Sequence, residues 1–426
     1  MTRALLALSL VMWGAAPARA QTADVYYRSW RWMEEPAAGR AAGLAGASTA
    51  LVDDAAAAEA NPAALTTLTK NELTGSLLHR GAGTSALGDS LAARTGFGFG
   101  ALAGRLNPRW AVGAFVSEPQ AVRIDLASPI GGDGLRDEGH LDGVVVQRGI
   151  AAAFRVNPKL HVGVRVSANH LDLDGEYRRL AAADAPRLLV QARGDSTRVA
   201  TRVGVLLEMT RRLRLGLVRE SGARWPVQRT ASSPLLQETL DPGSEEELRQ
   251  PSVVSGGLLF RASPKLLFSG QLDYVRHGVL RPADVVRPGG YAPSSYELFA
   301  WEARLGMEVS LPLPSLSVQL RAGLHTLGRG ALRELAATFD GATSPTAAPP
   351  PLLPPAPAPA DPELALRAEL LQQITALREP PPPASPESPL LALGASIVTA
   401  KGVRFDLAAR LRGERSALLF ATAVRF

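Results

Sequence analysis

Ser416-Ala417-Leu418-Leu419-Phe420-Ala421-Thr422-Ala423-Val424-Arg425-Phe426 decides the fold. Leu418, Phe420, Val424 and Phe426 share one face, interrupted by Thr422, while Ala421, Ala423 and Arg425 share the other. Successive side chains of a strand point to opposite faces, so the stretch reads as a strand with one greasy side and one small or polar side. A wall that meets lipid outside and a lumen inside needs strands of this kind.

The pattern recurs up the chain. Leu160, Val162, Val164, Val166 and Ala168 oppose Lys159, His161, Arg165, Ser167 and Asn169. Phe299, Trp301, Leu305, Met307 and Val309 oppose Glu302, Arg304 and Glu308, and Val403, Phe405, Leu407 and Leu411 oppose Arg404, Asp406 and Arg410. At the other end Arg3 precedes an apolar run from Ala4 to Trp13, and Ala18-Arg19-Ala20 follows. Residues 1–20 therefore read as a cleaved secretory signal. The run is too short for a spanning helix, which needs roughly 20 apolar residues, and no later stretch reaches that length. A closed β-barrel is the other structure that satisfies every backbone group in lipid. The expectation is an all-β transmembrane antiparallel barrel in the bacterial outer membrane, with Phe420, Val424 and Phe426 as the closing-strand signal for barrel-assembly machinery.

Connection lengths support this. Asn107-Pro108, Asn157-Pro158, Thr210-Arg211, Ser263-Pro264, Pro312 to Pro314 and Ala400 to Gly402 read as short turns. Long polar or Gly/Pro-rich connections at 118–142, 174–197, 223–251, 277–296 and 327–390 separate the hairpins. The expected strands are 72–79, 95–106, 109–117, 143–156, 159–173, 198–210, 212–222, 252–262, 265–276, 297–310, 315–326, 391–400, 402–412 and 416–426, about fourteen in all. An even count places both termini on the periplasmic side and the long loops outside the cell.

Composition removes several function classes. With 0 Cys, thiol catalysis, thiolate metal sites and disulfides are excluded. A net charge of +6 is spread over arginines on alternating strand positions, without a basic stripe, so no nucleic-acid partner is expected. The six histidines form no metal pair, and Asp133, Asp137, Glu138 and Asp142 miss the calcium-loop spacing. Gly96-Phe97-Gly98-Phe99-Gly100 resembles a nucleotide loop only in composition; its period is two, so it reads as a strand with aromatics on one face. No nucleophile motif is present. No enzyme activity, cofactor or metal is expected.

Before the first strand, residues 21–70 differ in texture, and residues 71–426 are expected to hold the barrel. Asp53 or Asp54 is placed to cap a short alanine helix, and Asn61-Pro62 is a second cap with proline at the first helical position. Gly43, Gly46 and Ala47, the double Asp53-Asp54 with its alanines, and Asn61-Pro62-Ala63-Ala64-Leu65 together resemble the N-terminal segment of the FadL-like outer-membrane transport family. The resemblance implies a hatch, built on Gly43, Gly46, Asp53, Asp54, Asn61, Pro62, Ala63 and Leu65, that plugs a fourteen-stranded barrel. It implies passive transport of a hydrophobic small molecule of long-chain fatty acid or hydrocarbon type. PorV-like relatives share the hatch motif and imply a scaffold for protein secretion or surface attachment instead.

Two features bear on that choice. The expected lumen-facing residues are charged: Arg165, Arg202, Glu208, Arg214, Asp273, Glu302, Arg304, Arg321, Arg404 and Asp406. Cross-strand pairing explains them better than substrate contact. Residues 340–390 form a Pro-rich loop in which Asp361 caps and Leu366, Leu370, Ile374 and Leu377 recur at helical spacing. The apolar face of the 361–379 helix is expected on the barrel's own rim, with a partner protein as the alternative.

Overall fold

The computed structural model describes residues 20–21, 38–51, 53–84, 90–91, 93–127, 136–180, 186–280, 295–327, 331–335, 366–367, 370, 389–412 and 415–426. Residues 1–19 of the expected signal segment 1–20, the polyproline runs and Ile374 and Leu377 lie outside them. The strands are β1 (Glu72–Arg80), β2 (Arg94–Arg105), β3 (Trp110–Ala127), β4 (Arg136–Asn157), β5 (Leu160–Leu180), β6 (Pro186–Glu208), β7 (Leu213–Glu220), β8 (Ala223–Ser233) and β9 (Glu238–Gln250). Then follow β10 (Ser252–Arg261), β11 (Leu266–Leu280), β12 (Ser295–Pro312), β13 (Leu316–Leu327), β14 (Leu390–Thr399), β15 (Val403–Arg412) and β16 (Arg415–Arg425).

All of these except β8 and β9 make a closed antiparallel barrel of 14 strands. Closure is made by β1, which pairs β16 on one side and β2 on the other. Along the wall β7 pairs β6 and β10. Leu77 is 56% exposed, Ile150 68% and Leu393 60%, an apolar outer belt that only lipid can cover. Among the described residues no helix is long and apolar enough to cross a membrane; the strands do so.

One device closes four of the short turns. The side-chain oxygen of Asn107 accepts from the backbone N–H of Arg109 at 2.8 Å and Trp110 at 2.9 Å. Asn157, Thr210 and Ser263 repeat this on the residues two and three positions on. These side chains mimic the missing backbone acceptor, which is why the turns are so tight.

The stretch expected as a loop at 223–251 is instead the β8–β9 hairpin, which pairs the upper part of β6 through Gln228 to Ser232. It prolongs the wall beyond the long-loop rim after a kink at Gly222, whose φ of 67° admits no side chain without strain. Residues 366, 367 and 370 are helical and lie on this extension. Leu370 is buried against Leu188, Val190 and Ala231, and Arg367 reaches Glu238 at 2.8 Å.

Candidate functional site

The hatch fills the barrel near its short-turn rim. It consists of α1 (Gly39–Gly43), a turn, α2 (Ala57–Ala60) and a 3-10 helix, Pro62–Thr67. After α1 the chain reverses through Ala45 and Gly46, at φ 52° and 82°, and Gly46 N–H donates to Ala41 O at 2.8 Å. Left-handed backbone of this kind satisfies orphan carbonyls at a helix end, and glycine adopts it freely. Asn61 is fully buried; its Oδ1 accepts from Ala63 N–H at 3.1 Å and its Nδ2 donates to Thr49 O at 2.7 Å, tying the two halves of the hatch together. Leu65, Leu68 and the hatch alanines pack on Phe99, Phe115, Ala151 and Leu206 of the wall.

Such a close fit needs a wall without side chains at the contact. Gly163 and Gly204 are direct cross-strand partners, as are Gly216 with Gly257 and Gly306 with Gly323. A Cβ at Gly163 would fall 2.4 Å from Ala63 N, one at Gly216 2.4 Å from Thr49 O, and one at Gly323 2.4 Å from the Leu44 carbonyl carbon. These glycines form a collar into which the hatch backbone presses.

Charge fixes the hatch at two places. In the first, Arg40 holds Glu308 with two bonds of 2.8 Å and also pairs with Asp53. Arg321, wholly buried, joins Glu308 at 2.7 Å to Asp406 at 2.9 Å, and Arg404 links Asp406 at 2.8 Å to Asp54 at 3.2 Å. Glu72 closes the chain, 2.5 Å from Arg425 and 3.5 Å from Arg404. Burial is the largest influence on the Asp53 carboxyl and would raise it, but Arg40, Arg214, Arg425 and Arg261 together outweigh it and hold the carboxyl below the usual carboxylate range. Burial likewise opposes the Arg40 charge, and Asp53 and Glu308 more than restore it. In the second place, Arg165 and Arg202 share Glu220 and donate to the Glu59 carbonyl at 2.9 Å and 2.6 Å, the end of α2. Removing one member of a buried network of this kind costs far more than the pair contributes, because the partner is left charged and dry.

The described ladder is interrupted at two places, on β6 between Arg193 and Arg202, where the pairing passes from β8 to β7, and on β3. Pairing of β2 with β3 stops at Phe99–Ser117, and β3 is next paired from that side at Leu91–Ile124. Glu118-Pro119 form a bulge against β4, and proline has no N–H to continue a ladder. A second bulge at Gly98 reverses the alternation of β2, so Phe97 faces out at 43% exposure while Phe99 is buried against the hatch. The expectation of aromatics on one face fails for that reason. Glu118 stands at the break, 3.1 Å from Arg80, with Arg94 at 3.9 Å. Pro119 also lines a cavity of about 140 Å³ between hatch and wall, together with Glu59, Gln147, Arg202, Glu220, Asp273, Glu302 and Arg304. Above it a buried amide chain runs Gln147, Asn169, Gln250 with bonds of 3.0 Å. Higher still lies an apolar cluster of Leu141, Val145, Leu171, Trp225, Val227 and Leu248. Larger grooves of about 730 and 680 Å³ lie on the outer wall among Leu102, Ile150, Leu215 and Leu305 and belong to the lipid face.

The architecture matches solved barrels over almost its whole length. A Pseudomonas aeruginosa FadL homologue aligns at a TM-score of 0.56 and 12% identity, covering 96% of this chain and 99% of that one. The Ralstonia pickettii toluene transporter TbuX gives 0.56 at 14% identity, over 92% and 99% of the two chains. The Pseudomonas putida toluene transporter TodX gives 0.52 at 14%, over 95% and 98%. The fold is that of the FadL-like outer-membrane transporters. The model of an uncharacterised protein family, UPF0164, matches residues 10–122, a stretch that includes the hatch, β1, β2 and part of β3. No curated protein matches the sequence.

In this FadL-like barrel the residues singled out from the sequence fall into connected groups. Arg165 and Arg202 meet at Glu220, Glu208 pairs Arg214 at 3.1 Å, and Arg304 stands 3.1 Å from Asp273 and 3.3 Å from Glu302. Arg321, Arg404 and Asp406 belong to the larger network that grips the hatch. Gly43 packs on Gly394, Asn61 caps the 3-10 helix with Pro62 at its start, and Ala63 and Leu65 are wholly buried. The aspartates differ from expectation: α2 has no side-chain cap, Asp53 pairs with Arg40, and Asp54 accepts from Ala56 N–H at 3.1 Å. Phe420, Val424 and Phe426 all face lipid, and Phe426 N–H donates to Asn71 O at 3.0 Å. Arg40, Glu72, Glu220 and the glycine collar were not anticipated, and Glu308 was placed on the charged face of its strand without a role. Inward glycines close to the short turns on successive strands were the one available sign of the collar.

Proposed function

We propose that the chain is a bacterial outer-membrane channel that passes small hydrophobic molecules passively, of long-chain fatty acid or hydrocarbon type. Cargo enters among the long loops, crosses the apolar cluster around Trp225, meets the hatch and leaves sideways through the wall between β2 and β3. The observation that carries this reading is the interrupted β2–β3 ladder, whose Pro119 lines the cavity beside the hatch. Lipid on the far side of the break is a sink for an apolar solute, which gains on the order of 25 cal/mol per Å² by leaving water. The fold shared with toluene transporters and a FadL homologue supports it.

One observation favours a second reading, a PorV-like scaffold that binds partner proteins through its loops. The hatch is held by two ion-pair clusters, and the cavity beside it, about 140 Å³, is below the roughly 300 Å³ of an ordinary small-molecule site. A strain lacking the protein separates the two. Impaired uptake of at least one of fatty acids, alkanes or aromatics, restored by the wild-type gene, supports transport. Unimpaired uptake of all three moves the assignment to the scaffold.

A further inference from the structure

Cations scattered along the sequence are gathered by the barrel on one rim. Every short turn except Pro312 to Pro314 carries at least one: Arg105 and Arg109, Lys159, Arg211 and Arg212, Lys265, and Lys401, all exposed. Arg105 donates to Pro108 O at 3.0 Å, and the other side chains make no hydrogen bond or ion pair among the described residues. Carboxylates near this rim are already taken: Glu72 by Arg425 and Arg404, Glu208 by Arg214, and Asp53 by Arg40, with Arg261 at 3.8 Å. Phe426 adds one α-carboxylate to the same rim, against seven cations. Those seven exceed the net +6 of the whole chain, so the positive balance of the protein is concentrated here.

The ring of cations lies where the lipid face ends. Beside the first turn Leu106 is 67% exposed, and Trp110 is half-exposed while its ring packs on Phe154 at 4.8 Å between centres. Tryptophan so placed settles at the level of lipid head groups. The β2–β3 and β4–β5 turns lie side by side, Arg155 N–H donating to Arg109 O at 2.8 Å, and they frame the short-turn end of the outer-wall groove of about 730 Å³. Gly104, Ala114 and Ala152 keep its floor low, and Arg105 stands at its end. The groove takes an acyl chain, and the cations repel one another until an anion lies among them. We propose that the short-turn rim binds anionic phospholipid of the leaflet it faces, with the head group among Arg105, Arg109 and Lys159 and an acyl chain in the groove beside them. A zwitterionic lipid brings the same chain and phosphate without net charge to set against the ring. The site is independent of what the lumen carries.

The test uses full-length protein reconstituted into phosphatidylcholine vesicles that carry a trace of spin-labelled phosphatidylglycerol or spin-labelled phosphatidylcholine. The motionally restricted fraction of the spin-label spectrum gives the relative association of the two lipids. Phosphatidylglycerol should associate about fivefold more strongly at low salt, the increment that a cation supplies at a charged surface. That preference should shrink at about 1 M salt, where screening acts beyond about 3 Å. Arg109→Gln combined with Lys159→Gln should bring the two lipids within about a factor of two of each other. Neither side chain has a partner among the described residues, so this barrel should assemble, and the salt response of the wild type needs no variant. Arg178→Gln combined with Arg193→Gln, which removes two exposed cations toward the long-loop rim, should keep the preference. Equal association of both lipids with the wild type, or an unchanged preference in the Arg109→Gln, Lys159→Gln protein, overturns the proposal. So does an equal loss in the two double variants. Capture of poly-glutamate by the wild type without any lipid preference would assign the ring to an acidic protein and overturns it as well.

Discussion

Replacing Gly163 by Ala should loosen the hatch while leaving the barrel standing. The new Cβ would lie 2.4 Å from Ala63 N and from the Pro62 carbonyl carbon, and 2.8 Å from Ala63 Cα. These are backbone atoms, so the 3-10 helix as a whole must retreat by roughly 1 Å to reach ordinary contact. That retreat strains the Thr66–His161 bond of 2.6 Å and the packing of buried Leu65. Overpacking of this degree costs about 1–3 kcal/mol, which lowers the docked-to-undocked ratio by about 5- to 150-fold. The chain has 0 Cys, so a single Ala64→Cys probe in the wholly buried 3-10 helix reports opening without background. Its maleimide labelling rate should rise by that factor when Gly163→Ala is added, with heat-modifiable mobility on gels unchanged. Gly256→Ala is the control, since nothing lies within 4 Å of a Cβ there. Equal labelling in the Gly163→Ala and Gly256→Ala proteins would refute the collar.

Arg321→Met should lower the temperature of heat-modifiability markedly, because Glu308 and Asp406 each lose a buried partner and broken buried networks cost about 3–5 kcal/mol; an unchanged transition temperature contradicts this. Asn61→Ala should raise Ala64→Cys labelling less than Gly163→Ala at its upper limit, since loss of a cap costs about 1 kcal/mol. For acid, the folded Asp53 carboxyl is held below its ordinary value. Its contribution is thus complete above the unfolded value of about 3.9 and fades as pH falls through the lower folded value. Hydrogen-exchange protection of residues 54–67 should therefore be flat from pH 8 to about 5, and a loss within that window would count against Asp53 as the anchor.

Strands were legible because each meets two different solvents, and the period-two contrast of Leu391, Leu393 and Ile397 against their inward neighbours survives in the sequence. The β8–β9 hairpin was not, because β9 carries Asp241-Pro242-Gly243 and a run of glutamates and holds its place by pairing with β8 rather than by alternation. The Gly98 bulge was invisible for a related reason: one extra residue reverses every later side chain of β2 without altering composition. In the site, Asn61-Pro62 was readable because a cap is local. Arg40 and Glu308, 268 residues apart, meet only because the barrel closes around the hatch, and no spacing in the chain encodes that.

Flux through the wall break tests the central claim most directly. Gly96 and Glu118 face each other across it, a Cβ at Gly96 lying 3.5 Å from the Glu118 carboxylate oxygens. Gly96→Cys with Glu118→Cys, in a chain that has 0 native Cys, can be bridged by a short cleavable thiol reagent in protein reconstituted into lipid vesicles. The account predicts that entry of a small aromatic hydrocarbon falls to the level of protein-free vesicles when the bridge is in place and returns when it is cleaved. Entry at the same rate with the break bridged and open would contradict it.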